Sequence, residues 1–517
     1  MRAVDHNVHD VASAFADNRG ALAGNWRITV SKTKSICPVC HKKIDAELTE
    51  VNGKILLTKT CKEHGTFAAA HWESPCVFKF AEEYDYFKYF GDASFPKNPD
   101  GCPYTCFCDK HASSTVIGVI DVTKRCDLRC PVCFATFSGH EVDYEPSKEK
   151  IVNMLEFLSD RNPKPPAILF SGGEPLERED MPEIIAAAHK LRFMTILATN
   201  GVKLARSEEL VKKLKEKGLN IVYLQFDSFH DEIYEKLRGK KLLQTKMKAI
   251  ENCRKYDIEV ILVTTLVRGV NDAEVGAIIR FAAQNSYIIR GIIFQPIAFT
   301  GRAVDNPLRE EWRDTSFAEE VETQTNGEIK TTDLFPLSIM TSPIIVMSKF
   351  MKKPWPLFSC SPQCGLVNWM YVSKKGKIIP INHFVNFERF FRVLQKTAKS
   401  VKTKGRFSIL SALFLASMQS LNWLLVTKEI GIFTLTKTIL KMHISPSYQS
   451  LANLRRRIFL LGCMAFMDPY TFDINRVRRC VVHYVTPDLK IVPFCAYNNV
   501  HRIPTEEEYC AQHDATQ

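Results

Sequence analysis

The chain has 517 residues, enough for two or three domains, and its 45% hydrophobic and 24% charged residues are typical of a globular protein rather than a repeat or low-complexity sequence. Its net charge of +12 favours an anionic partner, either a nucleic acid or a membrane surface with phosphate headgroups. The first twenty residues are polar and show no apolar signal segment. We therefore expect a cytoplasmic protein, whose 17 reduced cysteines bind metals rather than form disulfides.

The first candidate metal ligands lie near the N-terminus. The segments "CPVC" and "CKEHG" contain Cys37, Cys40, Cys61 and His64, and the run between them is typical of a hairpin with an Asn-Gly turn. Four soft ligands in this pattern fit one tetrahedral Zn²⁺ ion or a rubredoxin-like Fe ion. We expect the metal to stabilise a small domain without taking part in chemistry, with Cys76 as an alternative ligand to His64.

A second cysteine group follows in "GCPYTCFCDKH". It contains Cys102, Cys106 and Cys108, with His111 close by. Because several cysteine groups occur in this one chain, we interpret these three as the nucleus of an auxiliary iron–sulfur cluster. Reduced thiols without a metal are the alternative.

The middle of the chain alternates strand-like and helix-like segments. The strand-like runs are "STVIGVIDVT", "AILFSGGEP", "FMTILATNG", "NIVYLQFD", "IEVILVTTLV" and "IIRGIIFQP", and helical segments such as "SEELVKKLKEKG" separate them. Six β/α units in series predict an α/β fold with a parallel sheet in a partial barrel. Functional sites of such sheets lie at the carboxyl ends of the strands. Residues 171–174, Asn200 and Asp227 fall at these ends.

The first of these strands is followed by "RCDLRCPVCFA", in which Cys126, Cys130 and Cys133 have the spacing C-x3-C-x2-C. Three thiolates from one short loop can bind a metal centre but cannot saturate it. A structural zinc ion normally takes four protein ligands, whereas a [4Fe–4S] cluster on three cysteines keeps one iron open for a small molecule. At the end of a barrel strand, with "GGE" after the next strand, we favour the cluster.

The last cysteine group lies in the C-terminal third. It comprises Cys360 and Cys364 in "SCSPQCG", and Cys480 and Cys495 in "RRCVVHYVTPDLKIVPFCAYN". Four cysteines suffice for a second auxiliary cluster. The partition between the two auxiliary sets stays open, because ligands can cross between groups and Cys463 or His111 could join either one.

Residues 407–427 carry no charge, and the recurrence of Ser408, Ser411, Gln419 and Asn422 predicts one helix with a polar edge. A basic run precedes it, consisting of Lys396, Lys399, Lys402, Lys404 and Arg406. Together the two segments fit an apolar tunnel or docking on an anionic bilayer, and a buried helix after a solvated loop is the equal alternative. A membrane-spanning helix is the least favoured of the three.

The order of motifs in the middle region resembles the radical S-adenosylmethionine (radical SAM) superfamily. The resemblance rests on C-x3-C-x2-C after the first strand, "SGGEP" after the second and "ATNG" after the third. It implies that Cys126, Cys130 and Cys133 bind a [4Fe–4S] cluster whose open iron chelates SAM. The implied cofactor-binding residues are Phe134, Ser171, Gly172, Gly173, Glu174, Thr199, Asn200 and Asp227. The superfamily often has an aromatic residue before the third cysteine, where this chain has Val132.

Within that resemblance, residues 172–174 are expected to receive the amino group of SAM, because glycines let the backbone approach a ligand and a carboxylate suits an ammonium group. Asn200 and nearby polar groups are expected to contact the ribose or the carboxylate.

Over nearly the whole chain, the motifs are similar to those of the archaeal tetraether lipid synthases. The similarity implies an enzyme that forms a C–C bond between unactivated carbons of membrane lipid chains through a 5′-deoxyadenosyl radical. The implied partners are an isoprenoid diether or similar lipid, a low-potential electron donor such as ferredoxin or flavodoxin, and the inner face of the membrane, without nucleic acid. Two departures are the single residue Phe107 between Cys106 and Cys108, where two are expected, and Ala465 in place of a histidine.

Other functions stay open at this level. One is a radical SAM methyltransferase, or an enzyme that modifies a peptide or cofactor, with auxiliary clusters. The other is an iron–sulfur electron carrier, against which "SGGEP" and "ATNG" argue, because a carrier needs no SAM pocket. We expect four parts: a rubredoxin-like or zinc-ribbon domain (25–90), an auxiliary-cluster segment (91–114), the partial (β/α)6 barrel (115–305), and a C-terminal α+β domain for an auxiliary cluster and the substrate (306–517).

Overall fold

A computed structural model gives the architecture of the protein. It describes residues 28–72, 74–85, 102–104, 111–135, 142–303, 317–351, 355–399, 418–431 and 455–514, together with positions 408, 411 and 414. The predicted ligands Cys106 and Cys108 lie outside the described residues, as do Lys402, Lys404 and Arg406 of the basic run.

The N-terminal part is an antiparallel sheet in which each strand pairs with the next. Its strands are β1 (Ile28–Ile36), β2 (Lys43–Val51), β3 (Lys54–Cys61) and β4 (Gly65–Trp72). Asn52 and Gly53 form the predicted turn between β2 and β3, with φ values of 50° and 74° that an Asn-Gly pair tolerates. Helix α1 (Pro75–Glu83) packs Phe78 edge-on against Trp72 and covers the apolar face of the sheet. The expected small N-terminal domain is confirmed.

Six parallel strands follow, and each pairs with its neighbour in chain order. They are β5 (Ile117–Thr123), β6 (Ala167–Gly172), β7 (Met194–Thr199), β8 (Ile221–Gln225), β9 (Glu259–Leu266) and β10 (Ile289–Pro296). The helices between them are α2 (Lys148–Ser159), α3 (Met181–Lys190), α4 (Val202–Arg206), α5 (Glu208–Glu216), α6 (Asp231–Arg238), α7 (Leu243–Lys255) and α8 (Val275–Gln284). The predicted β/α units of a partial barrel are confirmed.

Local sequence explains where these helices begin and which side they bury. The Ser207 hydroxyl accepts a hydrogen bond from the Leu210 amide and caps α5, since the first amides of a helix have no partner within it. Only Val211 and Leu214 of α5 are buried, while its lysines face solvent. Such apolar stripes pack on the strands and form the main core of the molecule.

The C-terminal region adds strands to both edges of the barrel sheet. Its strands are β11 (Phe335–Pro336), β12 (Gly365–Val372), β13 (Ile378–Pro380), β14 (Ile458–Met464), β15 (Val482–Val485) and β16 (Ile491–Pro493). Strand β14 pairs with β10 and β15 pairs with β5, both in parallel. The helices of this region are α9 (Phe317–Gln324), α10 (Thr341–Met351), α11 (Ile381–Phe384), α12 (Phe387–Lys399), α13 (Trp423–Glu429), α14 (Ile474–Val477), α15 (Phe494–Ala496) and α16 (Arg502–Asp514). The expected α+β character of this region is confirmed.

Buried ion pairs dock α16 on the barrel, directly behind the start of the cysteine loop. Arg502 donates to Asp121 on β5 at 2.5 Å, and both side chains are at most 3% exposed. Lys124, two residues before Cys126, pairs with Glu506 at 2.5 Å. The C-terminal helix therefore helps to fix the strand from which the cysteine loop starts.

The prediction of one uninterrupted helix over residues 407–427 is wrong in the part that the structure describes. Leu421 forms an antiparallel bridge with Val385, and a new helix starts at Trp423, capped by the Asn422 side chain. The bridge gives Leu421 a backbone partner on another segment, which a continuous helix would not allow. Among the described helices, none has both the length and the apolarity that crossing a bilayer requires.

Candidate active site and metal centres

The loop after β5 carries Cys126, Cys130 and Cys133 at the carboxyl end of the barrel strands. Arg302, in the segment after β10, holds the loop: its amide donates to the Cys133 carbonyl at 2.9 Å, and its guanidinium donates to the Cys130 carbonyl at 3.1 Å. Cys130 is 8% exposed, and burial raises the pKa of its thiol. A buried thiolate needs a nearby positive charge, which a bound cluster supplies, and three cysteines on one loop fit a [4Fe–4S] cluster with one open iron.

The "GGE" segment at the end of β6 packs directly on this loop. The Gly173 amide donates to the Thr123 carbonyl and the Glu174 amide to the Arg125 carbonyl, both at 2.8 Å. A Cβ atom at Gly172 would lie 2.2 Å from the Thr123 oxygen, and one at Gly173 would lie 2.3 Å from the Arg125 oxygen. The close approach of two strand ends therefore requires both glycines. Their contact with SAM stays a prediction.

Glu174 is buried and links three strand ends. Its carboxylate accepts hydrogen bonds from the Thr199 hydroxyl at 2.8 Å, the Asn200 amide at 2.7 Å and the Leu176 amide at 3.2 Å. Burial raises the pKa of Glu174 to about 7. The Asn200 side chain in turn donates to Asp127 in the cysteine loop at 2.6 Å. The predicted Glu174, Thr199 and Asn200 therefore form one network that reaches the loop, and Asp127 joins it.

Asp227 acts on the cysteine loop through a residue that the sequence analysis missed. Its fully buried carboxylate accepts two hydrogen bonds from Arg238, at 2.7 and 2.8 Å. Arg238 also donates to the Val132 carbonyl inside the loop at 2.9 Å. Nothing in "DEIYEKLRGKK" distinguishes Arg238 from the neighbouring lysines, so only the fold identifies it as the partner of Asp227.

The remaining predicted cofactor residues lie around the same edge of the sheet. Ser171 on β6 lies opposite Asp121 on β5 in the sheet. Phe134, 36% exposed, contacts the Phe494 ring at a centroid distance of 6.0 Å. Lys246 was not predicted; it is fully buried, donates to the Asn200 carbonyl at 2.5 Å, and burial lowers its pKa to about 8.

The N-terminal ligand set converges on one point. The Cys40 and Cys61 sulfurs are 3.9 Å apart, and His64 Nδ1 lies 3.7 Å from the Cys37 sulfur and 3.5 Å from that of Cys61. These separations match a tetrahedron with metal–sulfur bonds of ~2.3 Å. Among the described residues, only this group of three or more candidate ligands has all its ligand atoms within 4.8 Å of one another. His64 completes the set, and Cys76 lies exposed on α1.

The structure also brings the four late cysteines together. Cys480 is half-buried; desolvation raises the pKa of its thiol, and the nearby thiols of Cys495 and Cys364 raise it further. Burial also raises the pKa of the Cys360 thiol, and the nearby thiols of Cys364 and Cys480 raise it further. A cubane cluster spreads its ligand sulfurs further apart than a single ion does, so this grouping fits a cluster.

The other predicted auxiliary ligands lie near the late cysteines or outside the described residues. Cys102 is buried in an apolar cluster against which Cys480 and Cys495 also pack. His111 hydrogen-bonds to the Cys480 carbonyl at 2.8 Å, next to the late cysteines. The auxiliary role of Cys102, Cys106 and Cys108 stays a prediction.

A cavity lies between the N-terminal sheet, the end of β10 and the C-terminal region. It encloses about 1010 Å³ of space, its solvent-open mouth included. Residues from β4, from the segment after β10, from α9 and from residues 463–476 line it. Because Pro296 and Ile297 at the carboxyl end of β10 line it, it is the candidate substrate pocket.

Two family models match the chain. Residues 120–282 match the radical SAM superfamily, and residues 29–73 match the HMPTM N-terminal zinc ribbon domain. The matches agree with the two folds described above. They also bear out [4Fe–4S] and SAM as cofactors and metal binding by the ribbon.

One relative aligns along almost the whole chain. The 7,8-dihydro-6-hydroxymethylpterin dimethyltransferase of Methanocaldococcus jannaschii is 41% identical over 485 residues, which cover 92% of this chain and 95% of that protein. The Fe-coproporphyrin III synthase of Methanosarcina barkeri is 33% identical over 185 residues, 36% of this chain and 44% of that protein. Among solved structures, Streptococcus suis SuiB bound to precursor peptide SuiA aligns with a TM-score of 0.35 at 12% identity, over 58% of this chain and 69% of that one.

The expectation of lipid C–C bond formation is wrong. The relative that covers 92% of the chain carries the name of a pterin dimethyltransferase, which supports the methyltransferase alternative instead of a tetraether lipid synthase. The expected lipid substrate is corrected with it, and the expected membrane surface finds no support. The order of motifs led to the wrong substrate because the cysteine motifs bind cofactors, and the residues that bind a cofactor do not specify the substrate.

Proposed function

The chain belongs to the radical SAM superfamily and to the family of the M. jannaschii dimethyltransferase, and on that premise we propose that it methylates a 6-hydroxymethyl-7,8-dihydropterin. The observation that carries the proposal is the 41% identity over 92% of this chain and 95% of that relative. The similarity is not confined to the shared SAM barrel but extends over regions that line the candidate substrate pocket.

Cys126, Cys130 and Cys133 hold the catalytic cluster in this proposal. When bound, the cluster and SAM supply a 5′-deoxyadenosyl radical that can remove hydrogen from carbon. Within the loop Cys130 is buried and Cys126 is exposed, and the hydrogen removal requires no general base of the protein.

The surrounding network orients the cofactor. Glu174 offers a carboxylate to the amino group of SAM while its hydrogen bonds hold Thr199 and Asn200 in place. Asp227 is a positioning residue, because it reaches the cysteine loop only through Arg238. Asp227 and Arg238 hold the loop in the conformation in which all three cysteines can bind one cluster.

Cys360, Cys364, Cys480 and Cys495 are proposed to hold an auxiliary cluster. The thiols lie near enough to raise one another's pKa, which supports this assignment. Reduction of the clusters requires an electron donor of low potential, of the ferredoxin or flavodoxin type. The basic charge of the chain suits such an acidic partner.

The experiment is a turnover assay with anaerobically reconstituted protein. We expect SAM, a strong reductant and 6-hydroxymethyl-7,8-dihydropterin to give singly and doubly methylated pterin together with 5′-deoxyadenosine, measured by mass spectrometry. SAM labelled with ¹³C in its methyl group identifies the methyl source. Deoxyadenosine formation without methylated pterin, combined with hydrogen abstraction from a different substrate class, would overturn the proposal.

A further inference from the structure

The cavity beside the ribbon contains two buried nitrogens that have no hydrogen-bond partner in the described part of the chain. They are Nδ1 of His71 on β4 and Nε of Arg476 at the end of α14. Both side chains line the cavity, and each is at least nine-tenths buried. Buried polar groups in folded proteins nearly always have a partner, so these atoms mark positions that a ligand completes.

The contacts of His71 determine which of its nitrogens carries the proton. The Gln363 amide nitrogen donates to the Glu82 carboxylate at 3.0 Å, which turns the Gln363 oxygen towards His71. His71 Nε2 lies 2.9 Å from that oxygen and must donate to it. Burial and the charge of Arg476 lower the pKa of His71 to about 4, so the ring is neutral and Nδ1 is an acceptor.

Arg476 supplies the complementary group. One of its terminal nitrogens donates to the Ala465 carbonyl at 2.8 Å, and this bond holds the guanidinium at the cavity wall. Its Nε–H remains as a donor with no protein acceptor in the described residues. The cavity wall therefore offers one fixed acceptor and one fixed donor, and Arg476 is close enough to His71 for its charge to lower the pKa of the ring.

Most of the other residues that line the cavity are apolar, with Ser74, Glu319, Asp468 and Thr471 as the polar exceptions. Its apolar wall includes Trp72, Ile297, Phe317, Leu366 and Phe466. Aromatic and aliphatic walls bury the faces of a heteroaromatic ring, while a few polar groups at one end fix its orientation.

Aromatic contacts connect this cavity to the cysteine loop. Phe466 in the cavity wall stacks on Phe494 at a centroid distance of 4.5 Å, and Phe494 contacts Phe134, the residue after Cys133, at 6.0 Å. A ligand against Phe466 is thus separated from the cysteine loop by two ring contacts.

We propose that this cavity binds the substrate's pterin ring, with the ribbon residue His71 accepting a hydrogen bond from the ring N3–H and Arg476 donating to the adjacent carbonyl oxygen. The assignment rests on the proposed function. The 2-amino-4-oxopyrimidine edge of a pterin places an N–H donor next to a carbonyl acceptor, which complements the His71–Arg476 pair. The ribbon then contributes to substrate specificity in addition to its structural role.

Two conservative variants separate the structural contact of His71 from its ligand contact. His71→Gln keeps a nitrogen near the Nε2 position, and so the Gln363 contact, but lacks the acceptor at Nδ1. His71→Asn keeps an amide group near the Nδ1 position. Binding of 6-hydroxymethyl-7,8-dihydropterin to the reconstituted holoenzyme is measured anaerobically by equilibrium dialysis, and Lys79→Ala on the exposed side of α1 is the control.

We expect His71→Gln to weaken pterin binding by about tenfold, and His71→Asn and Lys79→Ala to change it by less than about threefold. The N3-methyl analogue of the pterin lacks the N–H donor. It should bind wild type about tenfold more weakly than the parent pterin, and His71→Gln should bind the two ligands equally.

Equal binding of the N3-methyl analogue and the parent pterin to wild type would overturn the assignment. This comparison uses only the wild-type protein, so it does not depend on the folding of a variant. Unchanged pterin binding by His71→Gln, at wild-type metal content, would also overturn it. In both cases wild type still methylates the pterin, and the proposed function stands. A wild-type enzyme that neither binds nor methylates the pterin would overturn both.

Discussion

The ribbon and the barrel each hold a cysteine site, but the chain builds the two sites in opposite ways. The ribbon ligands Cys37, Cys40, Cys61 and His64 come from two turns of one small sheet. The barrel cysteines share one short loop, yet contacts from residues 106 and 172 positions away along the chain fix that loop. Local spacing therefore specifies the ribbon site, whereas the barrel site depends on the whole fold.

The charged groups beside the two sites differ in the same way. Next to the ribbon ligands, Lys42 pairs with Glu63, and their side chains are 62% and 56% exposed. Next to the barrel loop, Arg238 pairs with Asp227, and their side chains are 6% and 0% exposed. Exposed pairs contribute little to stability, whereas loss of one partner from a buried pair leaves an uncompensated charge. We therefore expect the barrel site to be far more sensitive to substitution.

The largest effect is expected when the barrel cysteines are removed. In the triple variant Cys126→Ala, Cys130→Ala and Cys133→Ala, SAM cleavage should fall to background, because no thiolate remains to hold the catalytic cluster. Iron analysis should show the loss of one four-iron cluster, while the ribbon keeps its metal. Deoxyadenosine formation at the wild-type rate would contradict the assignment of the site.

Removal of the buried charge that supports the loop should be nearly as severe. Asp227→Asn leaves Arg238 buried without its counter-charge, which costs about 3–5 kcal/mol of stability in comparable cases. We expect SAM cleavage to fall about a hundredfold and the iron content to drop, with the ribbon metal retained. The measurements are deoxyadenosine formation per cluster, metal content and the midpoint of chemical denaturation. A variant with wild-type iron and wild-type cleavage would show that the loop does not depend on this pair.

The contrast also explains what the sequence could predict. The ribbon ligands, the six β/α units and the three cysteines of the loop could be predicted, because each is a pattern of residue types within one short stretch of the chain. Arg238, Lys246 and the cavity wall around His71 were missed, because their partners are brought together only by tertiary packing. The prediction of a lipid substrate was wrong for the same reason. Cofactor motifs repeat among related enzymes, and the groups that contact a substrate carry no spacing pattern.

Loss of the ribbon metal should affect substrate methylation but spare SAM cleavage. Cys61→Ala removes one of four ligands and should release the metal, since a structural ion contributes directly to the folding of its domain. Strand β4, which carries His71, would then lose its support. We expect methylated pterin to fall about tenfold, while SAM cleavage per cluster stays within about threefold of wild type. His64→Cys retains four ligands and is the matched control. Equal loss of both activities in Cys61→Ala would show that the two regions are not separable.

The smallest effect is expected at the exposed ion pair beside the ribbon ligands. Lys42 donates to Glu63 at 2.5 Å, but water and salt screen the interaction because more than half of each side chain is exposed. Lys42→Met should therefore change the rate of metal loss to a chelator by less than about twofold, and this difference should vanish at high salt. Met keeps the aliphatic part of the side chain, so any larger effect comes from the charge. Metal loss accelerated tenfold or more in Lys42→Met would show that long-range electrostatics also support the ribbon site, and the contrast with the barrel would then be one of degree.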